Sequence, residues 1–407
     1  MLSVLAAGFA GLYLVGLHWN LWAVDFSALY FAGHFFSAGD FAQIYAAPEA
    51  VIGSRMPPSW VAAVAAAGHP GAQTYAFIYP PWVAAVAAGL VWFDPQAAMN
   101  MALVVNVTLV LGSIHLARRI IAPQMARGVW MLVSLVLLVP GVPLMSALLL
   151  GQVQILVFSL CVLAFERYVA GAFVAAGVAL ALAACLKITP AALALIFLFD
   201  RNGRAFLAFF ATGAGMLAVS FAVAGGELHQ TYLGHLRTIS DHIYSSFFAF
   251  SFETFLHEVW DAARGTALPH VANEYIFPKP AWISATSTLC LLGAIAVLWR
   301  VTRRIVAPRR TGLHVLGLAL IVPIFAPLGW AHYYLLALYV MPGVLVLMPR
   351  RGAIALLVIL CVTLSVPFQS LFFDLALPVY PQILIMVPIF IGVLFALLVA
   401  ATAWKSG

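Results

Sequence analysis

The sequence predicts an all-α, polytopic membrane protein, on three observations. First, 65% of the 407 residues are hydrophobic and only 8% are charged, with a mean hydropathy of +1.08. A soluble domain carries about 25% charged residues, so this chain lacks the polar groups to cover a water-facing surface, and an ordinary aqueous fold is excluded. Second, the apolar runs are continuous rather than alternating. In hydrocarbon every backbone group must be satisfied internally, by helices or closed barrels, and continuous runs select helices. Third, Lys and Arg gather in short clusters between the runs, as they do in the cytoplasmic loops of multi-span proteins.

The runs give about 12 spans, since a full crossing takes about 20 apolar residues. They lie near 2–22, 96–117, 128–142, 147–165, 171–187, 190–200, 205–224, 281–299, 312–327, 331–348, 352–370 and 382–404. Several are too short for a straight crossing and are expected to be tilted or broken. The apolar start MLSVLAAGFAGLYLVGLHWNLW lacks a basic leader and a small-residue cleavage site, and reads as a retained first span. The basic clusters are Arg118-Arg119 with Arg127, Arg167, Arg201 with Arg204, Arg300 to Arg310, Arg350-Arg351, and Lys405. Positive-inside places them in the cytoplasm, and the formal charge of +6 then reflects topology rather than a nucleic-acid partner. Residues 80–93, PPWVAAVAAGLVWF, would break this parity if they crossed, so they are expected to lie along the interface. Two more polar stretches, about 23–79 and 225–280, become outer loops carrying short interfacial helices, within one membrane-embedded domain over 1–407. Cys161, Cys185, Cys290 and Cys361 all lie in apolar runs with no metal or disulfide spacing.

Function is expected on the outer loops. Asp25 directly follows the first run and is expected to N-cap a helix over 26–37 that Gly39 stops. Asp40, and Asp94 before Pro95, read as further caps. Tyr79-Pro80-Pro81 is a stiff turn into the next helix. Lys187, in CLKITPAAL, is a lone cation among apolar residues beside Pro190; such a charge is costly and is a functional candidate, the alternative being a lysine that snorkels to the headgroups. Gln152 and His332, the latter between Trp330 and Tyr333-Tyr334, are polar groups at outer helix starts. In the second loop His257 and Asp261 share a helix face but are too few to hold a metal. Phe247, Phe248, Phe250, Phe252 and Phe255 suggest an amphipathic element lying on lipid. Asp25, Lys187 and His332 thus reach one boundary from distant parts of the chain. An anionic base beside two cationic groups suits transfer of a sugar from a lipid phosphate to a hydroxyl: Asp25 takes the proton and Lys187 and His332 hold the departing phosphate. That chemistry needs neither cofactor nor metal.

The pattern Asp25-Phe26, Tyr30, Ala32, Gly39, Tyr45 and Tyr79-Pro80-Pro81, then Gly151-Gln152, Lys187 with Pro190, and Pro327, Trp330, His332, resembles glycosyltransferase family 87 along nearly the whole chain. The resemblance implies a GT-C-like bundle and a polyprenyl-phosphate sugar donor, with mannose or a related hexose transferred to a glycolipid or glycan acceptor. It also implies Asp25 as base, Lys187 and His332 at the donor phosphate, and Tyr30, Tyr79, Gln152 and Trp330 around the substrates. The implied setting is the plasma (inner) membrane, with the site facing the periplasm or exterior. Gly329 and Tyr333 depart from the family pattern, standing where Ser and a second His are usual, and Ser251-Phe252-Glu253 replaces an Asn-x-Ser element. The rival readings are a transporter or lipid flippase, which calls for inverted repeats or mid-membrane charge pairs, and a non-catalytic scaffold, in which the three charged groups would lie far apart.

Overall fold

The computed structural model describes residues 2–46, 56–266, 275–307, 309–373, 377 and 379–403. Arg55 and Lys405 fall outside them. The described residues are 77% helical with almost no strand. Among the described residues four helices are long and apolar enough to cross a membrane: Pro95–Ile121, Gly203–Ser240, Ala281–Thr302 and Pro381–Ala403. The remaining apolar runs form shorter helices, so the twelve predicted spans do not appear as twelve single long helices. The outward faces of the long helices carry exposed Phe210, Leu217, Leu289 and Leu292, a surface that fits hydrocarbon and not water.

Local chemistry sets the element ends. Asp94 caps the Pro95–Ile121 helix, accepting from the amides of Gln96 and Ala97 at 2.9 and 3.2 Å, with Pro95 in the first turn. Arg118 and Arg119 sit in its last turn, where the helix dipole favours cations. Between residues 331 and 347 the expected single span is instead a chain of short helical pieces, Ala331–Tyr334, Leu335–Val340, Met341–Gly343 and Val344–Leu347, interrupted around Pro342. This run is buried almost throughout and forms the centre of the main core, where Tyr334 stacks on Phe390 at 3.8 Å and donates to the carbonyl of Phe250.

Two expectations about the loops change. The Gly203–Ser240 helix runs 38 residues, so the second polar stretch begins as helix rather than loop. Gly225, at φ +69°, breaks its regularity, and His229 bridges the break, bonding the Gly225 carbonyl at 2.6 Å and Ser220 at 2.8 Å. The remaining loop carries a two-stranded antiparallel sheet, His242–Ser245 with Tyr275–Pro278, and the helix Phe252–Arg264. Its aromatic residues do not form a single lipid-facing element: Phe250 is fully buried, and the helix turns Glu253, His257 and Glu258 inward. Glu253 pairs there with Lys279 at 2.6 Å. The first loop is likewise folded. Phe26, Phe31, Phe35, Trp60, Phe77 and Tyr79 build a second core around the helix Val24–Ser37. Residues 81–92 form a seven-residue α-helix and a five-residue 3-10 helix. Together these rise about 20 Å, short of the roughly 30 Å hydrocarbon thickness.

Candidate active site

Three residues in a turn fix where Asp25 sits. The amides of Asp25 and Phe26 both donate to the carbonyl of Leu150, at 3.0 and 3.2 Å. That satisfies first-turn donors of the Val24–Ser37 helix from outside. Asp25 is therefore not the N-cap expected from the sequence. Ala23 holds that position without a side-chain bond, and Asp25 lies inside the first turn. Gly151, at φ +67°, lets the helix come close: a Cβ there would meet those of Phe26 and Ala23 at 2.7 and 2.8 Å. Gln152 then donates its amide to the Asp25 carboxylate at 2.5 Å and accepts from Lys187 Nζ at 3.2 Å.

Lys187 follows the end of the Phe173–Leu186 helix, where the chain turns extended before a 3-10 turn containing Pro190. Its ammonium lies 5.4 Å from the ring centre of Tyr79 and 5.1 Å from that of Tyr333, held between two aromatic faces. Burial, then the charge of Asp25 and the neighbouring Tyr333, push the Tyr79 hydroxyl well above the ordinary tyrosine value. It therefore stays a neutral phenol across the physiological range.

His332 enters from the other half of the chain. It is 5% exposed, and its Nε2 has no hydrogen-bond partner among the described residues. Its segment is clamped to the second loop by main-chain bonds: Phe250 N donates to the Gly329 carbonyl at 2.7 Å, and Ala331 N donates to that of Phe248 at 2.8 Å. The clamp brings Phe247 and Phe248 beside Trp330.

These groups line one cleft of about 850 Å³, which Asp25, Tyr79, Gln152, Lys187, Trp330 and His332 all border. Of the seven residues expected at the site, Tyr30 is the exception. It follows Asp25 by five residues, about 140° round the helix, so it faces away, and its hydroxyl donates to the carbonyl of Phe93 at 2.8 Å. The cleft also contains Tyr75, Ser146, Tyr333 and the two phenylalanines, none of which was expected as a site residue. A second cavity of about 830 Å³, largely apolar, adjoins the first across Ile78, Lys187 and Tyr333. Among the described residues no group of three or more His, Cys, Asp or Glu could hold a metal ion; His257 and Asp261 are 3.6 Å apart as a pair on one helix.

Arg119, Arg167 and Arg310, from three of the basic clusters, lie away from the cleft. The helix Gln154–Val169 begins next to Gln152 and has Arg167 in its last turn. At helical rise those ends are roughly 20 Å apart. At the far end Glu166 pairs with Arg119 and Arg167 at 2.9 and 2.5 Å, and Asp200 pairs with Arg310 at 2.8 Å.

A polyprenol-phosphate-mannose-dependent alpha-(1-2)-phosphatidylinositol mannoside mannosyltransferase of Mycobacterium tuberculosis is 25% identical over 286 residues, 67% of this chain. The match spans 61% of that relative's length. No solved structure matches. The profile of glycosyltransferase family 87 matches residues 77–328, more than half of the protein, and the chain belongs to that family.

Proposed function

We propose that the protein is an inverting membrane glycosyltransferase that moves a hexose, mannose or a relative of it, from a polyprenyl-phosphate donor to a hydroxyl of a glycolipid or glycan. The observation that carries this reading is the meeting of Asp25, Lys187 and His332 in one cleft from three distant parts of the chain. In the reaction the acceptor oxygen attacks the anomeric carbon as the bond from that carbon to the phosphate oxygen breaks. The acceptor proton passes to the Asp25 carboxylate, and polyprenyl phosphate leaves with its charge held by Lys187 and His332. The unpartnered, buried Nε2 of His332 is a suitable donor for such an oxygen. Tyr79 and Trp330 flank the sugar, and the adjoining apolar cavity suits the polyprenyl chain. No cofactor or metal enters the scheme. The polyprenol-phosphate-mannose dependence of the mycobacterial relative supports the choice of a polyprenyl-phosphate sugar.

The same reading sets the cleft on the non-cytoplasmic face of the plasma membrane. The ion-paired basic clusters mark the opposite end, and such clusters face the cytoplasm. The shorter apolar helices combine with the four long ones to complete the crossings.

The test is transfer from labelled polyprenyl-phosphate mannose by the purified protein with a lipid extract as acceptor. Asp25→Asn is expected to lose roughly 10²- to 10⁴-fold in rate, the usual contribution of a general base, with unchanged thermal stability. Turnover like the wild type would remove Asp25 as the base, and transport of the lipid without transfer would favour a flippase.

A further inference from the structure

Gln152 is bonded at both ends of its amide, and the chemistry of its partners leaves one orientation. A carboxylate only accepts and an ammonium only donates, so the NH2 faces Asp25 and the carbonyl faces Lys187. Turned over, the amide would set its carbonyl against a carboxylate and its N–H groups against an ammonium. The residue is 6% exposed. Its backbone is pinned as well, with Gln152 N donating to the Ala147 carbonyl at 2.8 Å. The two residues before it hold the same helix end: the Leu150 carbonyl takes the amides of Asp25 and Phe26, and Gly151 leaves room for their packing. Leu150, Gly151 and Gln152 therefore form one continuous cradle for Asp25, gripping its main chain, its helix and its carboxylate in turn.

We infer that Gln152 is a positioning residue for Asp25 rather than a substrate contact. Its amide donates to the carboxylate and so favours the ionised, oriented form, while its carbonyl accepts from Lys187. Each end of the amide is committed to a charged partner, which fixes its orientation in the cleft. This assignment rests on Asp25 being the base.

Loss of a donor to the ionised form favours the protonated carboxyl. The groups facing Asp25 across the cleft are Lys187, His332, Tyr75, Tyr79 and Tyr333; all remain in a Gln152→Leu variant, which removes the donor to Asp25 together with the acceptor from Lys187. Dicyclohexylcarbodiimide modifies protonated carboxyls in apolar surroundings. The pH dependence of its labelling of Asp25, read by peptide mass spectrometry, reports protonation without requiring turnover. In Gln152→Leu the labelling midpoint is expected to rise by about one pH unit. In Gln152→Glu, which sets a second carboxyl against the first, it is expected to rise further.

In the transfer assay Gln152→Leu is expected to lower kcat on the order of 10- to 100-fold, the scale of a misplaced reacting group. Donor and acceptor KM are expected to stay near the wild type. An unchanged or lowered midpoint overturns the inference, and so does a raised KM at constant kcat, which would make Gln152 a substrate contact. A midpoint that rises in a protein whose wild type transfers no sugar upholds the Gln152–Asp25 coupling and rejects the glycosyltransferase reading instead.

Discussion

The Tyr45 hydroxyl donates to the main-chain carbonyl of Tyr79 at 2.5 Å, closing the first loop across 34 residues. Both groups are buried, and the Tyr45 ring packs edge-on against His235 and tilted against Phe77. The bond ties the end of the loop, where Tyr79 borders the cleft, to the segment after the helix that carries Asp25. In Tyr45→Phe the Tyr79 carbonyl is left unpaired away from water, which costs about 1–3 kcal/mol. The expected outcome is a lower melting temperature in detergent and faster proteolysis within the first loop, with residual transfer. A variant as stable as the wild type would show that water or another group satisfies the carbonyl.

Lys187 and His332 are expected to act on the donor. Losing a hydrogen bond to a charged group costs about 1.5–3 kcal/mol, roughly 10- to 100-fold in affinity. Lys187→Ala and His332→Ala should therefore raise the KM for polyprenyl-phosphate sugar by that range and leave the acceptor KM nearly unchanged. Equal losses for the two substrates would count against phosphate binding. Lys187→Ala should be the more damaging, because it also leaves Gln152 without its second partner.

Tyr30 supplies the opposite expectation. Its hydroxyl anchors the helix Val24–Ser37 to the Phe93 carbonyl, away from the cleft. Tyr30→Phe should cost about 0.5–1.5 kcal/mol of stability and leave the KM of both substrates and kcat as in the wild type. A changed KM would return Tyr30 to the site.

How far the sequence went can be argued from these same residues. Lys187 was legible because a single ammonium among apolar residues has no cheap structural explanation, and Asp25 because it stands where an apolar run ends. The pattern that carried Tyr30 was linear, and linear order does not say which side of a helix a residue occupies; five positions of helical twist separate it from Asp25. Gln152 was visible as a polar group, but its link to Asp25 spans 127 residues and no local signal records it. A run of phenylalanines reads the same whether it meets lipid or protein, so Phe250 was expected on a surface and is found in the core. The helical class followed from composition, whereas the broken run through 331–347 depends on packing at the centre of the bundle.

The pairing of residues 248–250 with 329–331 is made entirely by peptide groups. Main-chain bonds do not depend on which side chains they join. The aromatic wall at Phe247 and Phe248 is therefore mechanically fastened to the His332 segment but chemically independent of it. Exchanging those two side chains reshapes one bank of the cleft while the imidazole opposite stays in register, which separates the part of the protein that can diversify from the part that must stay fixed.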